Sequence, residues 1–431
     1  MRYEELIVYL LSENENILFS ISDIVKFIDG SDTGIRNEGE AKEVFHVAVL
    51  ELIELAAEFG YSGNLWHAYL THILANNENP YSTACEIRGS VNGSINNAAL
   101  HDMAIFKEMF DFDFNDLFTR LSSESLSFIL DYTCDENTGK TFNKRVRDRI
   151  TDLTNKLSKA DSVDEFKVMV TDFYKDFGVG KFGLHKAFRV EHNEKVEIVP
   201  ITNIAHVYLE DLVGYDIQKQ RLIENTEAFI ENKPCNNCLL YGDAGTGKSS
   251  SIKGILNKYY DRGLRIIEIY KHQFKDLNAV ISEIKNRNYR FIIYMDDLSF
   301  EEFEVEYKYL KAVIEGGLEK KPSNVLIYAT SNRRHLVKES FSDRNDYDDE
   351  LHKSDSMQEK ISLFARFGVS IYFPSPEKKE FNNIVKELAK RYELNLGEDE
   401  LLLEANKWEL SHGGLSGRTA SQFIDYLRGT R

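Results

Sequence analysis

Proline is scarce, 6 in 431 residues, and no tract repeats or is of low complexity. With 42% hydrophobic residues, that scarcity excludes a fibrous or disordered chain and points to a folded, helix-rich protein with room for two to four domains. No run approaches the roughly 18 apolar residues needed to cross a bilayer, so no membrane partner is expected. The first residues, MRYEEL, have no basic segment leading into an apolar one. This argues against a secretory signal and makes a cytoplasmic location the expectation. Cysteine is limited to Cys85, Cys134, Cys235 and Cys238. The last two form a CxxC without a second pair, a weak zinc or redox signal, and Cys238 reads as a buried residue opening the strand CLLYG. Positive charge is also short, with 53 Lys and Arg against 71 Asp and Glu. A net charge of −18 argues against a broad nucleic-acid-binding surface, which needs clustered cations, but leaves room for one local basic groove.

What is present falls into distinct stretches. Up to about residue 180, helical periodicity recurs, as in AKEVFHVAVLELIELAAEFG, Ala41 to Gly60, which ends at a glycine as a capped helix does. Asn143 to Leu157 reads as a basic-faced helix and Asp164 to Gly178 as another amphipathic one. Tyr61 to Ser94, with its Asn-Asn-Glu-Asn-Pro and Gly-Ser pairs, reads as loops between helices. AFRVEHNEKVEIVPI alternates apolar and polar residues around HNEK, as a two-stranded hairpin does. From about Leu209 onward, short continuous apolar strands alternate with helices, the pattern of a parallel sheet covered on both faces. Beyond Pro374 and Pro376 only helices are expected. The expected division is 1–186 mostly helical, 187–208 hairpin and linker, 209–375 α/β, and 376–431 a small helical domain.

The chemistry concentrates in the α/β part. GDAGTGKS, Gly242, Asp243, Ala244, Gly245, Thr246, Gly247, Lys248 and Ser249, fits G-x-x-x-x-G-K-S between a strand and a helix, with Ser250 next in that helix. Such a loop lets backbone N–H groups wrap phosphate oxygens at a helix N-terminus. Lys248 would neutralise β/γ-phosphate charge and the Ser249 hydroxyl would ligate Mg²⁺. RFIIYMDD supplies companion acids: Asp296 would hold Mg²⁺, usually through water, and Asp297 would face a nucleophilic water. NVLIYATSN is a third apolar strand ending in a polar residue, Asn332; beside the first two motifs, the fold they imply would put it between the γ-phosphate and the acids. The following Arg333 and Arg334 read equally as surface charges or subunit contacts.

Together these motifs resemble the AAA+ ATPases, in order from about Leu209 to the C-terminus. The implied fold is an AAA+ P-loop core, a parallel sheet covered by helices, with a C-terminal helical lid and a mostly helical N-terminal domain. Within that resemblance RFG marks Arg366 as an arginine finger reaching the neighbouring subunit's γ-phosphate. SGRTA marks Arg418 as a second sensor from the lid, and LEDLVGYDIQKQ suggests Val213, Gly214 and Tyr215 as lining for an adenine. The chain is most similar to a bacterial family of AAA+ ATP-binding proteins known as a domain of unknown function, at DLVGY, LLYGDAGTGKSS, DDLSFE, VLIYATSNRRHL, SDSMQEK, RFG and SGRTA. Paired aspartates with TSN and RFG are similar also to bacterial replication initiators and helicase loaders, where the second aspartate is normal.

The resemblance implies ATP and Mg²⁺ as ligands and a homo-oligomer acting on an unidentified protein or nucleic-acid partner, with slow or partner-stimulated hydrolysis. The alternative is an ATP-gated switch or scaffold with negligible turnover, favoured by Asp297 being one methylene shorter than glutamate. YKHQFKDLNAV has no glycine where threading relatives carry an aromatic–hydrophobic–Gly loop, which disfavours an unfoldase. Lys271, His272 and Lys275 in that stretch are weak candidates for nucleic-acid contact. The N-terminal region is expected to bind partners or regulate, and His46, His67, His72 and His101 lack metal-ligand spacing. Lys248→Ala is expected to abolish tight ATP binding in a direct titration; wild-type affinity would remove the phosphate-loop assignment.

Overall fold

The computed structural model describes residues 1–11, 15–135, 143–192, 195–204, 207–299, 306–315, 322–332 and 366–430. It divides into two compact units, Met1–His185 and Lys186–Arg431. Among the described residues, no helix is long and apolar enough to cross a membrane.

The first unit is helical: α1 (Asn16–Ile28), α2 (Glu38–Phe59), α3 (Leu65–Asn76), α4 (Pro80–Arg88), α5 (Ser94–Phe110), α6 (Phe114–Arg120), α7 (Lys144–Leu157), α8 (Val163–Phe177) and α9 (Gly180–Leu184). The Asn37 side chain caps α2 by accepting the Glu40 N–H, and Gly60 ends it at φ 75°, as the sequence suggests. The expected loops between Tyr61 and Ser94 are instead largely α3 and α4. Helix α3 is buried on most sides, Trp66, Leu70 and Leu74 completely, so it shows no amphipathic period. The Asn-Pro that read as a turn is a helix start: the Asn79 side chain accepts from the Tyr81 and Ser82 N–H groups and Pro80 opens α4.

The four histidines singled out above have separate partners. His46 is exposed, while His67 Nε2 is 2.8 Å from the Phe110 carbonyl and His72 Nδ1 is 2.9 Å from the Tyr61 hydroxyl. Burial pushes His72 down to about 4. His101 Nδ1 is 3.0 Å from the Asp102 carboxylate. Among the described residues, no three His, Cys, Asp or Glu gather as a metal site.

The second unit holds a seven-stranded sheet: β1 (Ala187–His192), β2 (Val196–Pro200), β3 (Cys238–Gly242), β4 (Leu264–Glu268), β5 (Arg290–Met295), β6 (Val325–Ser331) and β7 (Val369–Phe373), in the order β2-β1-β4-β5-β6-β3-β7. All neighbours are parallel except the β1–β2 hairpin, whose β1 runs parallel to β4 and so extends the sheet. Every residue of β6 is buried, as expected for a central strand covered on both faces. Cys238 is fully buried in β3. Among the described residues the unit's helices are α10 (Asp216–Ile230), α11 (Lys248–Tyr259), α12 (Leu277–Ile284) and α13 (Glu306–Glu315), then α14 (Lys378–Arg391), α15 (Glu398–Ser411) and α16 (Gly417–Thr430). The last three share a separate small core around Phe381, Val385, Ala405 and Phe423, because each has one apolar stripe and no sheet to cover.

One buried charge organises the N-terminal segment. Asp102 is fully buried, and its carboxylate accepts the N–H groups of Ile7, Val8 and Tyr9 at 3.0, 2.7 and 2.9 Å. Asp102→Ala would strand three donors. The expected result is a loss of about 3 kcal/mol from the first unit, read as a lower denaturant midpoint with unchanged slope.

Candidate nucleotide-binding site

Parallel strands put their C-terminal ends along one edge, and the motifs gather there. Strand β3 ends in Gly242, after which the loop turns into α11 with Gly247 at its N-cap, φ 89°. That left-handed backbone suits glycine and points the first amides of α11 at the loop's interior. Lys248 is only 5% exposed, and its Nζ donates to the Gly242 and Asp243 carbonyls at 2.9 and 2.5 Å. Burial pulls this ammonium below its ordinary value, while Asp243, Asp297 and Asp296 oppose that. The Asp243 carboxylate turns outward, accepting the N–H and hydroxyl of Ser375 at 2.8 and 2.9 Å.

The strand order decides what stands opposite the loop. Strand β6 lies between β3 and β5, so Asn332, following β6, falls between the loop and the acids that follow β5. Asn332 Nδ2 donates to Asp297 Oδ1 at 2.7 Å. Asp297 sits at φ 50°, a left-handed position that aspartate tolerates better than most residues. Its N–H donates to Thr330 Oγ1 at 2.9 Å.

Asp296 is the convergence point. Its Oδ1 accepts hydrogen bonds from Ser249 Oγ at 2.8 Å, Tyr294 OH at 2.7 Å and Thr330 Oγ1 at 2.5 Å. Burial raises this carboxyl, but the three hydroxyls outweigh it and hold the group below its ordinary value. An ionised carboxylate beside a serine hydroxyl is a hard-oxygen pair of the kind that suits Mg²⁺.

These groups line a cavity of about 590 Å³, within the range of small-molecule sites. Its polar end holds Gly245 to Ser251, Asp296, Asp297, Thr330 and Asn332. Its apolar end lies between Leu212, Val213 and Tyr215 on one side and Ile384 and Leu388 of α14 on the other. The Tyr215 ring lies 5.3 Å from that of Phe373, its hydroxyl donates to the Pro374 carbonyl at 2.8 Å, and burial raises it to about 12. Arg418 lines the cavity from the first turn of α16, and its N–H donates to the Gly245 carbonyl at 3.1 Å.

The structure thus brings Val213, Tyr215, Gly245 to Ser250, Asp296, Asp297, Asn332 and Arg418 around one space. Gly242, Asp243 and Ala244 form the loop's root, and Gly214 is a turn beside the apolar wall; none of the four lines the cavity. Arg366 precedes β7 and does not line it either. Arg333, Arg334 and SDSMQEK lie outside the described residues. Lys271, His272 and Lys275 follow β4, in a turn whose Tyr270 hydroxyl bonds Glu268. Sequence reading missed Tyr294, Thr330, Ile384 and Leu388. Two had a signal: Tyr294 and Thr330 each precede a site residue by two along a strand, hence share its face.

Sheet order, phosphate loop, paired acids and helical lid together define an AAA+ ATPase fold. A sequence profile described as "Protein of unknown function (DUF815)" matches residues 183–431, and the chain belongs to that family. Over 68 residues it is 35% identical to the replication factor C large subunit of Staphylothermus marinus, covering 16% of this chain and 15% of that one. Among solved structures it is similar to the Thermotoga maritima RuvB Holliday junction branch migration motor, at 15% identity and a TM-score of 0.36, covering 52% of this chain and 64% of that one. A RuvB variant from the same organism gives 16%, 0.37, 52% and 64%. The chain therefore spans less than two thirds of each of these relatives.

Gly245 marks where loop and lid meet. It sits at φ 76°, and an added Cβ would come within 2.9 Å of Ser416 Oγ and 3.0 Å of Arg418 Cβ. Gly245→Ala is expected to displace the first turn of α16 and weaken nucleotide binding about tenfold, a cost of ~1.4 kcal/mol. Titration with a fluorescent nucleotide measures this.

Proposed function

We propose that the protein binds and slowly hydrolyses ATP with Mg²⁺, as a homo-oligomer that remodels a macromolecular partner. The observation that carries this is the pairing of Ser249 with Asp296 beside Asn332 with Asp297, at 2.8 and 2.7 Å, in one cavity with Lys248. The adenine would enter the apolar slot between Val213, Tyr215 and α14, and the phosphates would lie along the amides from Gly245 to Ser250. Lys248 would exchange its loop carbonyls for β/γ-phosphate oxygens. Ser249 and Asp296 would hold Mg²⁺, which when bound supplies positive charge against the phosphates.

Asp297, aimed by Asn332, orients a water and accepts its proton. The water oxygen bonds to the γ-phosphorus as the bond to the β-bridging oxygen breaks, and ADP leaves with that electron pair. Arg418 steadies the phosphates in cis. Arg366, outside its own chain's cavity, supplies the finger to a neighbouring subunit. In this reading residues 1–186 form the partner-binding module, 187–208 the hairpin and linker, 209–375 the nucleotide-binding domain and 376–431 the lid.

A second reading, an ATP-gated switch with negligible turnover, is favoured by the short Asp297 having one carboxylate oxygen already engaged by Asn332. Turnover and nucleotide-dependent mass separate the two. Asp297→Asn is expected to bind ATP within about twofold of wild type while turnover falls at least ~100-fold. Equal turnover in both proteins would remove Asp297 as the base. Assembly by ATP in a wild type without measurable turnover, with or without DNA, RNA or protein, would favour the switch.

A further inference from the structure

Three hydroxyls meet on one carboxylate oxygen, and only one belongs to the phosphate loop. Side chains alternate along a strand, so Tyr294 and Asp296 share a face at the end of β5. The Tyr294 ring is 4% exposed, and its hydroxyl meets Asp296 Oδ1 at 2.7 Å. Thr330, on the adjacent β6, reaches the same oxygen at 2.5 Å and Ser249 reaches it at 2.8 Å. A carboxylate oxygen offers about two lone-pair directions, so the three hydroxyls fill Oδ1, and an acceptor direction for an entering group is left on the Oδ2 side, where the Asp297 backbone is the other neighbouring donor.

A buried tyrosine needs some partner for its hydroxyl, but that need does not dictate this one. Tyr328, the residue of β6 in register with Tyr294, is fully buried and bonds Asn225 and Thr226 of α10 instead. Ser249 is also the residue whose lone pair would turn to the metal. The side chains that hold Asp296 independently of the loop are therefore Tyr294 and Thr330, beside the Asp297 backbone.

We propose that Tyr294 is a positioning residue that fixes Asp296 with Oδ2 presented to the water shell of Mg²⁺; this rests on the ATPase reading above. The phenol anchors the carboxylate from inside the sheet, where the ring is clamped, so the acid need not be ordered when metal nucleotide arrives. The tyrosine thus acts through Asp296 and does not itself line the cavity.

The test uses the full chain and the fluorescent N-methylanthraniloyl derivative of ADP, titrated with excess Mg²⁺ and again in EDTA. The ratio of the two dissociation constants reads the metal's contribution to binding. Tyr294→Phe, which keeps the ring and removes only the hydroxyl, is expected to leave the EDTA value unchanged and shrink the ratio about threefold to tenfold. Thr330→Val is expected to shrink it too, while Thr330→Ser, which keeps the hydroxyl, retains it; this pair carries the test if the phenylalanine variant melts early. A ratio in Tyr294→Phe equal to that of wild type overturns the inference alone. So does an equal weakening with and without metal, which marks Tyr294 as packing only. A wild type whose binding ignores Mg²⁺ overturns both the inference and the metal-dependent reading beneath it.

Discussion

The site depends on one constraint: parallel strands end on the same edge, and β6 is inserted between the loop strand β3 and the acid strand β5. Insertion of a strand sets the loop and the acids two strand spacings apart, on the order of 10 Å. That gap suits a phosphate and its metal, and Asn332 comes to stand within it. The geometry relies on β6 being paired on both sides and buried at every residue. A strand so enclosed cannot shift register without exposing its apolar side chains.

The second theme is that polar groups are satisfied before any ligand arrives. Lys248 would be costly to bury without partners, and it rests on two loop carbonyls. Asp296 is held ionised by three hydroxyls, and Asp297 is held by Asn332. A site arranged this way loses little order on binding, which is the advantage of preorganisation. In a chain of net charge −18, binding a polyanion also requires local cations, and Lys248 and Arg418 face the same cavity.

The loop and the apolar wall are tied at several points to the C-terminal helices and the segment that leads into them. The Gly245 carbonyl accepts from Arg418 of α16, Asp243 grips Ser375, and Tyr215 bonds the Pro374 carbonyl. The apolar wall joins in, since Ile384 and Leu388 belong to the same helix that Phe381 and Val385 anchor in the lid core.

Much of this was legible in the residues themselves. GDAGTGKS between strand and helix, MDD after an apolar run and ATSN after another carry local signals, because phosphate wrapping and strand ends need only neighbours in the chain. The helices α3 and α4 were not legible: a helix buried on most sides loses the period that betrays a surface helix, and an Asn-Pro start looks like a turn. The hairpin could be recognised, but its pairing with β4 could not, since strand partners depend on the whole sheet. By itself the sequence determined the loop and the acids, each set by spacing within a few residues, while the lid arginine was suggested by the resemblance to a known family. Only the tertiary structure decided that Tyr294 and Thr330 grip Asp296 and that Ile384 and Leu388 wall the cavity. Those contacts join residues far apart in the chain and exist only once strand order and lid packing bring them together.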